Sequence, residues 1–141
     1  MTSRCGYAAI LGAPNAGKST LLNRMAGAKL SIVSPKAQTT RARVLGIVLR
    51  QDAQILLVDT PGIFAPRRKL DRAMVAAAWG GAKDADLSLL VVDARIGASA
   101  AVRQIATELG ARAGRNWLVL NKTDLIAVEN LLPLTATLTD I

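Results

Sequence analysis

No histidine occurs among the 141 residues. That removes the side chain that most often acts as a general base near neutral pH or binds a transition metal. A single cysteine, Cys5, is present, so neither a disulfide framework nor a cysteine-ligated zinc site can be built within the chain. Cys5 reads as a small buried residue on the first strand, in a reducing compartment. Aromatic residues make up only 3%, so the core must be aliphatic. The longest apolar runs fall far short of the roughly 18–20 residues that a membrane helix needs. Residues 1–4 lead straight into an apolar strand pattern, so no secretory leader is expected. The expected location is the cytoplasm, with peripheral association at the inner face of the cell membrane left open. There is no internal repeat and no low-complexity segment.

The chain is long enough for one domain with one core, and at 51% hydrophobic residues it should be globular. A net charge of +8 favours anionic partners, namely nucleotide, RNA or an acidic membrane surface, or else it is dispersed charge that aids solubility. Composition alone leaves both open.

The organising stretch is Gly12-Ala13-Pro14-Asn15-Ala16-Gly17-Lys18-Ser19, which fits the phosphate-loop pattern G-x-x-x-x-G-K-[ST]. An apolar strand pattern precedes it at 7–11. A helical pattern follows at 20–26, starting near Lys18 and stopped by Gly27. Gly12 and Gly17 allow consecutive N–H groups to turn inward. The helix start adds a positive dipole end, Lys18 a point charge for β- and γ-phosphates, and the Ser19 hydroxyl a hard oxygen for Mg²⁺.

Downstream, strand and helix patterns alternate, which predicts a mostly parallel sheet with helices on its faces. Residues 29–41, carrying Pro35, read as a long functional loop. Strands are expected at 43–50 and 53–59. The tight turn Gln51-Asp52 forces those two to be antiparallel neighbours. A helix is expected over 67–79, closed by Gly80-Gly81, with Trp79 as a packing residue. A fully buried strand follows at 87–93, a helix at 99–109 stopped by Gly110, and a strand at 116–121. A weaker helical pattern at 127–132 meets Pro133, and 134–141 is ambiguous.

Three further elements specify the ligand. Asp59-Thr60-Pro61-Gly62 ends a strand; its carboxylate can hold Mg²⁺ through water, and the Gly62 N–H can reach a γ-phosphate. Asn121-Lys122-Thr123-Asp124 ends another strand, at the edge where open α/β sheets bind ligands. The Asp124 carboxylate can accept from both N1–H and the exocyclic amine of guanine, donors that adenine lacks. Such pairing rejects the wrong base by on the order of 10⁴-fold. Asn121 would tie the base loop to the phosphate loop, and the Lys122 stem would pack over the ring. In the long loop, Thr39 or Thr40 can complete a Mg²⁺ shell when the γ-phosphate is present.

These segments, GAPNAGKS at 12–19, SPKAQTTR at 34–41, DTPG at 59–62 and NKTD at 121–124, resemble the Era family. Era proteins are bacterial GTPases of the TrmE–Era–EngA group, and KAQTTR is the most family-specific part. The resemblance implies a P-loop NTPase fold, α/β in three layers, with one antiparallel hairpin edge on a mostly parallel sheet. It implies that residues 1–141 are a GTPase domain cut short before its last strand and helix. The family's Ser-Ala guanine loop and its RNA-binding KH domain would then lie outside the chain. The strand ending at Asn121 would become an open edge.

The resemblance further implies GTP and GDP as ligands and Mg²⁺ as cofactor. The implied partners are small-subunit rRNA and the ribosome, reached through the KH domain, and the implied state is a monomer. Thr40 is preferred over Thr39 on this ground. The implied catalytic set is Lys18, Asn15 and Thr40, and the implied Mg²⁺ set is Ser19, Thr40 and Asp59. Nucleotide would be held by Gly12, Ala13, Pro14, Asn15, Ala16, Gly17, Lys18, Ser19 and Thr20, then Asp59, Thr60, Pro61 and Gly62, then Asn121, Lys122, Thr123 and Asp124. Ile63 stands where many small GTPases carry a water-orienting glutamine, and no arginine is an obvious finger in cis, so hydrolysis by this chain alone should be slow. Asn15 matches an asparagine that in TrmE-like relatives helps bind K⁺, which could replace an arginine's charge. The alternative is a nucleotide-gated switch whose output is docking, with Arg67-Arg68-Lys69 as one contact surface. An adenine-nucleotide kinase conflicts with residues 121–124.

Overall fold

The structure, a computed structural model, describes residues 4–27, 44–59, 69–83 and 85–141. In chain order the elements are β1 (Arg4–Leu11), α1 (Lys18–Ala26), β2 (Val44–Arg50), β3 (Ala53–Asp59), α2 (Lys69–Lys83), β4 (Leu87–Asp93), α3 (Ala100–Gly110), β5 (Arg115–Asn121) and α4 (Leu131–Thr139). Two short 3₁₀ turns, Thr123–Leu125 and Val128–Asn130, lie between β5 and α4.

The five strands form one sheet in the order β2-β3-β1-β4-β5. Gln51-Asp52 reverses the chain within two residues, so β2 and β3 pair antiparallel from Val44–Asp59 to Arg50–Ala53. The other pairs are parallel. This is the mixed sheet with one hairpin edge that the sequence predicts. β5 is the opposite edge, bonded to β4 alone among the described strands.

β4 is buried along almost its whole length because parallel neighbours and helices enclose it, which is why it reads as a continuous apolar run. Alternate residues of the strands feed two cores. Ala8, Ile10, Leu57, Leu89 and Val91 pack with Leu22 of α1 on one face. Leu11, Leu90 and Val92 pack on the other with Ala78 of α2, with Val102, Ile105 and Leu109 of α3 and with Leu138 of α4. The spacing of the α3 residues puts them on one helical stripe. Ser99 caps that helix, its Oγ accepting from the Val102 N–H at 3.3 Å. Such a cap contributes about 1 kcal/mol.

Three local expectations are corrected. Gly80 and Gly81 do not end α2, which continues to Lys83. Ala78 is fully buried and Trp79 packs against the same core, and that docking outweighs the roughly 1 kcal/mol each glycine costs in a helix. Pro133 does not stop a helix either: it lies in the first turn of α4, where its missing N–H has no intrahelical acceptor to lose. Cys5 is exposed, not buried, because the outer end of β1 extends past the core while Ala8 to Leu11 carry it. Trp79 is a packing residue as expected, with the Arg112 guanidinium 4.4 Å from its ring centre. Gly27 ends α1 in the left-handed region.

Candidate functional site

β1 and β4 are parallel neighbours, and the chain leaves their carboxyl ends in different directions. Open sheets form a ligand crevice at such a point. β1 delivers the loop of residues 12–17 there. A side chain at Gly12 would lie 2.5 Å from the Val91 carbonyl oxygen of β4, so only glycine lets the loop start this close to the neighbouring strand. Gly17 has φ 97°, a left-handed backbone favoured by glycine, and a side chain there would collide with the Asn121 amide nitrogen. Asn15 adopts φ 63°, and the Ala16 N–H closes a turn onto the Ala13 oxygen at 3.3 Å. Ala16 is buried, Ala13 and Pro14 are half-buried and Asn15 is exposed.

α1 starts at Lys18 with Gly17 as its cap and no side-chain capping bond. Its first N–H groups and its dipole therefore present a positive end at the loop. Lys18 is only 6% exposed, and its Nζ donates to the Ala13 oxygen at 2.9 Å. Ser19 and Thr20 occupy the same first turn. Asp59 is the last residue of β3, in register with Ile10, which puts it at the same end of the sheet. The hydroxyl of Ser19 and the carboxylate of Asp59 are hard oxygen donors of the kind Mg²⁺ takes when phosphates and water fill its remaining positions. Among the described residues no cluster of three or more carboxylate, cysteine or histidine groups forms a metal cage. Thr39, Thr40, Thr60, Pro61, Gly62, Ile63, Arg67 and Arg68 lie outside the described residues.

The second loop leaves β5. Asn121 ends the strand, and its Nδ2 donates to the Ala16 oxygen at 3.0 Å, across 105 residues of sequence. Lys122 takes a left-handed backbone, φ 58° and ψ 37°, and its Nζ donates to the Asn15 oxygen at 2.9 Å. Thr123 and Asp124 form an exposed 3₁₀ turn at the same edge. The structure thus brings the phosphate loop and the predicted base loop together, with both Asn121 and Lys122 bonded to phosphate-loop carbonyls.

One residue of this cluster escapes sequence reasoning. Asp93, the last residue of β4, is 4% exposed. Its Oδ2 accepts from Lys122 Nζ at 2.9 Å and from the Arg95 guanidinium at 3.3 Å, and its Oδ1 from the Arg95 N–H at 2.9 Å. Burial, the largest single influence, pushes its carboxyl upward. The Lys122 and Arg95 hydrogen bonds and the two positive charges together outweigh it and hold the carboxyl below its ordinary value. The available signal was a carboxylate closing a fully apolar strand beside the phosphate-loop strand, since such a charge must find a partner.

Comparison with known proteins agrees with this geometry. A family profile described as "50S ribosome-binding GTPase" matches residues 7–122. The chain is similar to GTPase Era of Afipia carboxidovorans, 55% identical over 132 residues that make up 94% of this chain and 43% of that protein. It is similar also to GTPase Era of Rhizobium meliloti, 53% identical over 139 residues, 99% of this chain and 44% of that one. The chain therefore spans less than half the length of these relatives. Among solved structures, Era in complex with MgGDPNP and nucleotides 1506–1542 of 16S ribosomal RNA superposes with a TM-score of 0.92 and 40% identity, over 98% of this chain and 47% of that one. Aquifex aeolicus Era bound to GDP and AlF4⁻ gives 0.90 and 40%, over 97% and 47%.

Proposed function

Since the chain belongs to the GTPase family that this profile describes, we propose that it binds GTP and GDP and hydrolyses GTP to GDP and phosphate. Residues 1–141 form the greater part of one GTPase domain. The loop from Gly12 to Thr20 wraps the phosphates with its backbone N–H groups, Pro14 excepted since it has none, with Lys18 turning from the Ala13 carbonyl to the β- and γ-phosphates. Ser19 and Asp59, with Thr40 when GTP is bound, hold Mg²⁺, which neutralises charge on the phosphates when present. Thr60, Pro61 and Gly62 contact the γ-phosphate edge, and Asn121, Lys122, Thr123 and Asp124 hold guanine. The supporting observation is the pair of bonds from Asn121 and Lys122 to the Ala16 and Asn15 carbonyls, which sets a base loop beside a phosphate loop.

Asp124→Asn tests this reading. An asparagine amide no longer accepts from both guanine donors but can donate to the 2-carbonyl of xanthine. GDP affinity should fall by about 100-fold or more, and xanthosine diphosphate should become the preferred ligand. An unchanged order of GDP, xanthosine diphosphate and ADP would overturn the assignment.

Two finer parts belong to the same proposal. Asn15 assists hydrolysis by binding K⁺ beside the phosphates; its carbonyl is taken by Lys122, while the residue is exposed, which leaves the side-chain amide for the cation. Equal hydrolysis rates in K⁺ and Na⁺ would reject it. The output is assembly of the small ribosomal subunit. The matching family is named for the 50S particle, but the relatives sharing over half their aligned residues are Era proteins, and an Era structure holds 16S rRNA. Docking to that RNA then falls to the part of the family protein outside this chain, in a cytoplasmic monomer. Among the described residues no helix is long and apolar enough to cross a membrane. Any contact with the membrane's inner face would be peripheral and carried by the +8 charge.

A further inference from the structure

The geometry points to Asp93 as a positioning residue for nucleotide retention: it fixes Lys122 in the place from which the stem covers the purine and the ammonium pins the phosphate loop. This rests on the guanine-nucleotide reading above.

The two oxygens of Asp93 divide the work. Oδ1 accepts the Arg95 N–H and the backbone oxygen accepts from Ile96 and Gly97. These bonds shape the turn that leaves β4 and reach nothing in the nucleotide site. Oδ2 faces the other way, onto Lys122 Nζ at 2.9 Å. The same ammonium donates to the Asn15 oxygen at 2.9 Å. A lysine side chain has four rotatable bonds and no preferred end point. Here one end is set by a left-handed backbone and the other by a carboxylate buried in β4, so the stem between them is held across the crevice. Arg95 competes weakly, since its side chain is 58% exposed and its bond is longer, at 3.3 Å. Both bonds of the Lys122 ammonium are charge-assisted and 2.9 Å long, but only Asp93 adds the attraction of a full opposite charge in a partly dry site, which makes it the stronger of the two anchors of Lys122. Asp93 touches no reacting atom; it acts through Lys122.

Asp93→Asn separates the two roles. Its amide oxygen can still accept the Arg95 N–H, as an Asx turn does, while its NH₂ group turns a donor toward the ammonium. In this chain, GDP and inosine diphosphate affinities should both fall by about ten-fold through faster release, with their ratio unchanged within about two-fold. Inosine diphosphate lacks the exocyclic amine, so that ratio reads the Asp124 contact and not the stem packing. Lys122→Met should show a similar loss, and the double variant should be no worse than Lys122→Met alone. If Asp93→Asn does not fold, Asp93→Ser keeps a hydroxyl acceptor for the turn and serves in its place. Unchanged GDP release in the Asp93 variant, losses that multiply in the double variant, or a changed GDP to inosine diphosphate ratio would each overturn the proposal. Failure of the guanine reading looks different: the unaltered chain would then bind ADP as well as GDP.

Discussion

The phosphate loop and the base loop meet at one edge of the sheet, but they are made of different material. The phosphate loop is a main-chain device. Its shape depends on what is missing at Gly12 and Gly17, where a Cβ would strike the Val91 carbonyl and the Asn121 amide. The base loop is a side-chain device: Asn121 and Lys122 reach back over more than a hundred residues, and Lys122 is anchored by a third strand through Asp93. A main-chain site should be destroyed by added atoms and a side-chain site by removed ones. The two are coupled at Gly17, whose bareness makes room for the base loop's asparagine.

Gly17→Ala should therefore have the largest effect. It meets a left-handed backbone, costing about 1–2 kcal/mol by itself, and a collision with Asn121. Guanine-nucleotide affinity should fall by about 100-fold or more, equivalent to about 2.7 kcal/mol, measured by titration with GDP. Retained affinity would mean that the loop does not need this close approach.

Asn121→Ala removes the bond to the Ala16 carbonyl, a loss of about 1 kcal/mol in stability. It also removes the atom that Gly17→Ala would strike. Thermal unfolding of the two single variants and the double variant should thus be non-additive, the double being more stable than the sum of the singles by about 0.5–1 kcal/mol. Strict additivity would leave the left-handed backbone as the whole reason for glycine at position 17.

The same distinction explains what could be read from the chain beforehand. Main-chain devices leave fixed spacings, so the phosphate loop, the Gln51-Asp52 reversal and the strands at 53–59 and 87–93 were legible directly. NKTD at 121–124 was legible as a polar loop closing an apolar strand, and the structure sets its Asn121 and Lys122 against the phosphate loop. Asp93 was not, since its role depends on which strand lies beside β1, a fact of sheet order. The Gly80-Gly81 and Pro133 misreadings have one cause: a glycine or proline signals a stop only where the rest of the helix lacks a docking face, and Ala78, Trp79 and Leu138 supply one. Strand character alone predicts burial along all of β1, whereas only its inner half lies in the core, which leaves Cys5 exposed.

The smallest expected effect is on acid stability, and it too divides the two loops. Asp93 is held below the ordinary carboxylate value of 3.8 in the folded chain. A depressed carboxylate contributes stability that is fully present above the unfolded value and is lost as pH falls through the folded one. Between pH 5 and 7 the Lys122–Asp93 contact should therefore add a constant amount. With no histidine in the sequence, no side chain of ordinary pKa begins to titrate near pH 6.5. Below about pH 4 the nucleotide-free chain should lose stability faster than Asp93→Asn does, so the two unfolding curves converge as the carboxyl takes up its proton. Asn121→Ala should run parallel to the unaltered chain over the whole range, because an amide does not titrate. Parallel curves for the Asp93 variant would mean that its carboxylate gains nothing from Lys122, and the base loop would then rest on Asn121 alone.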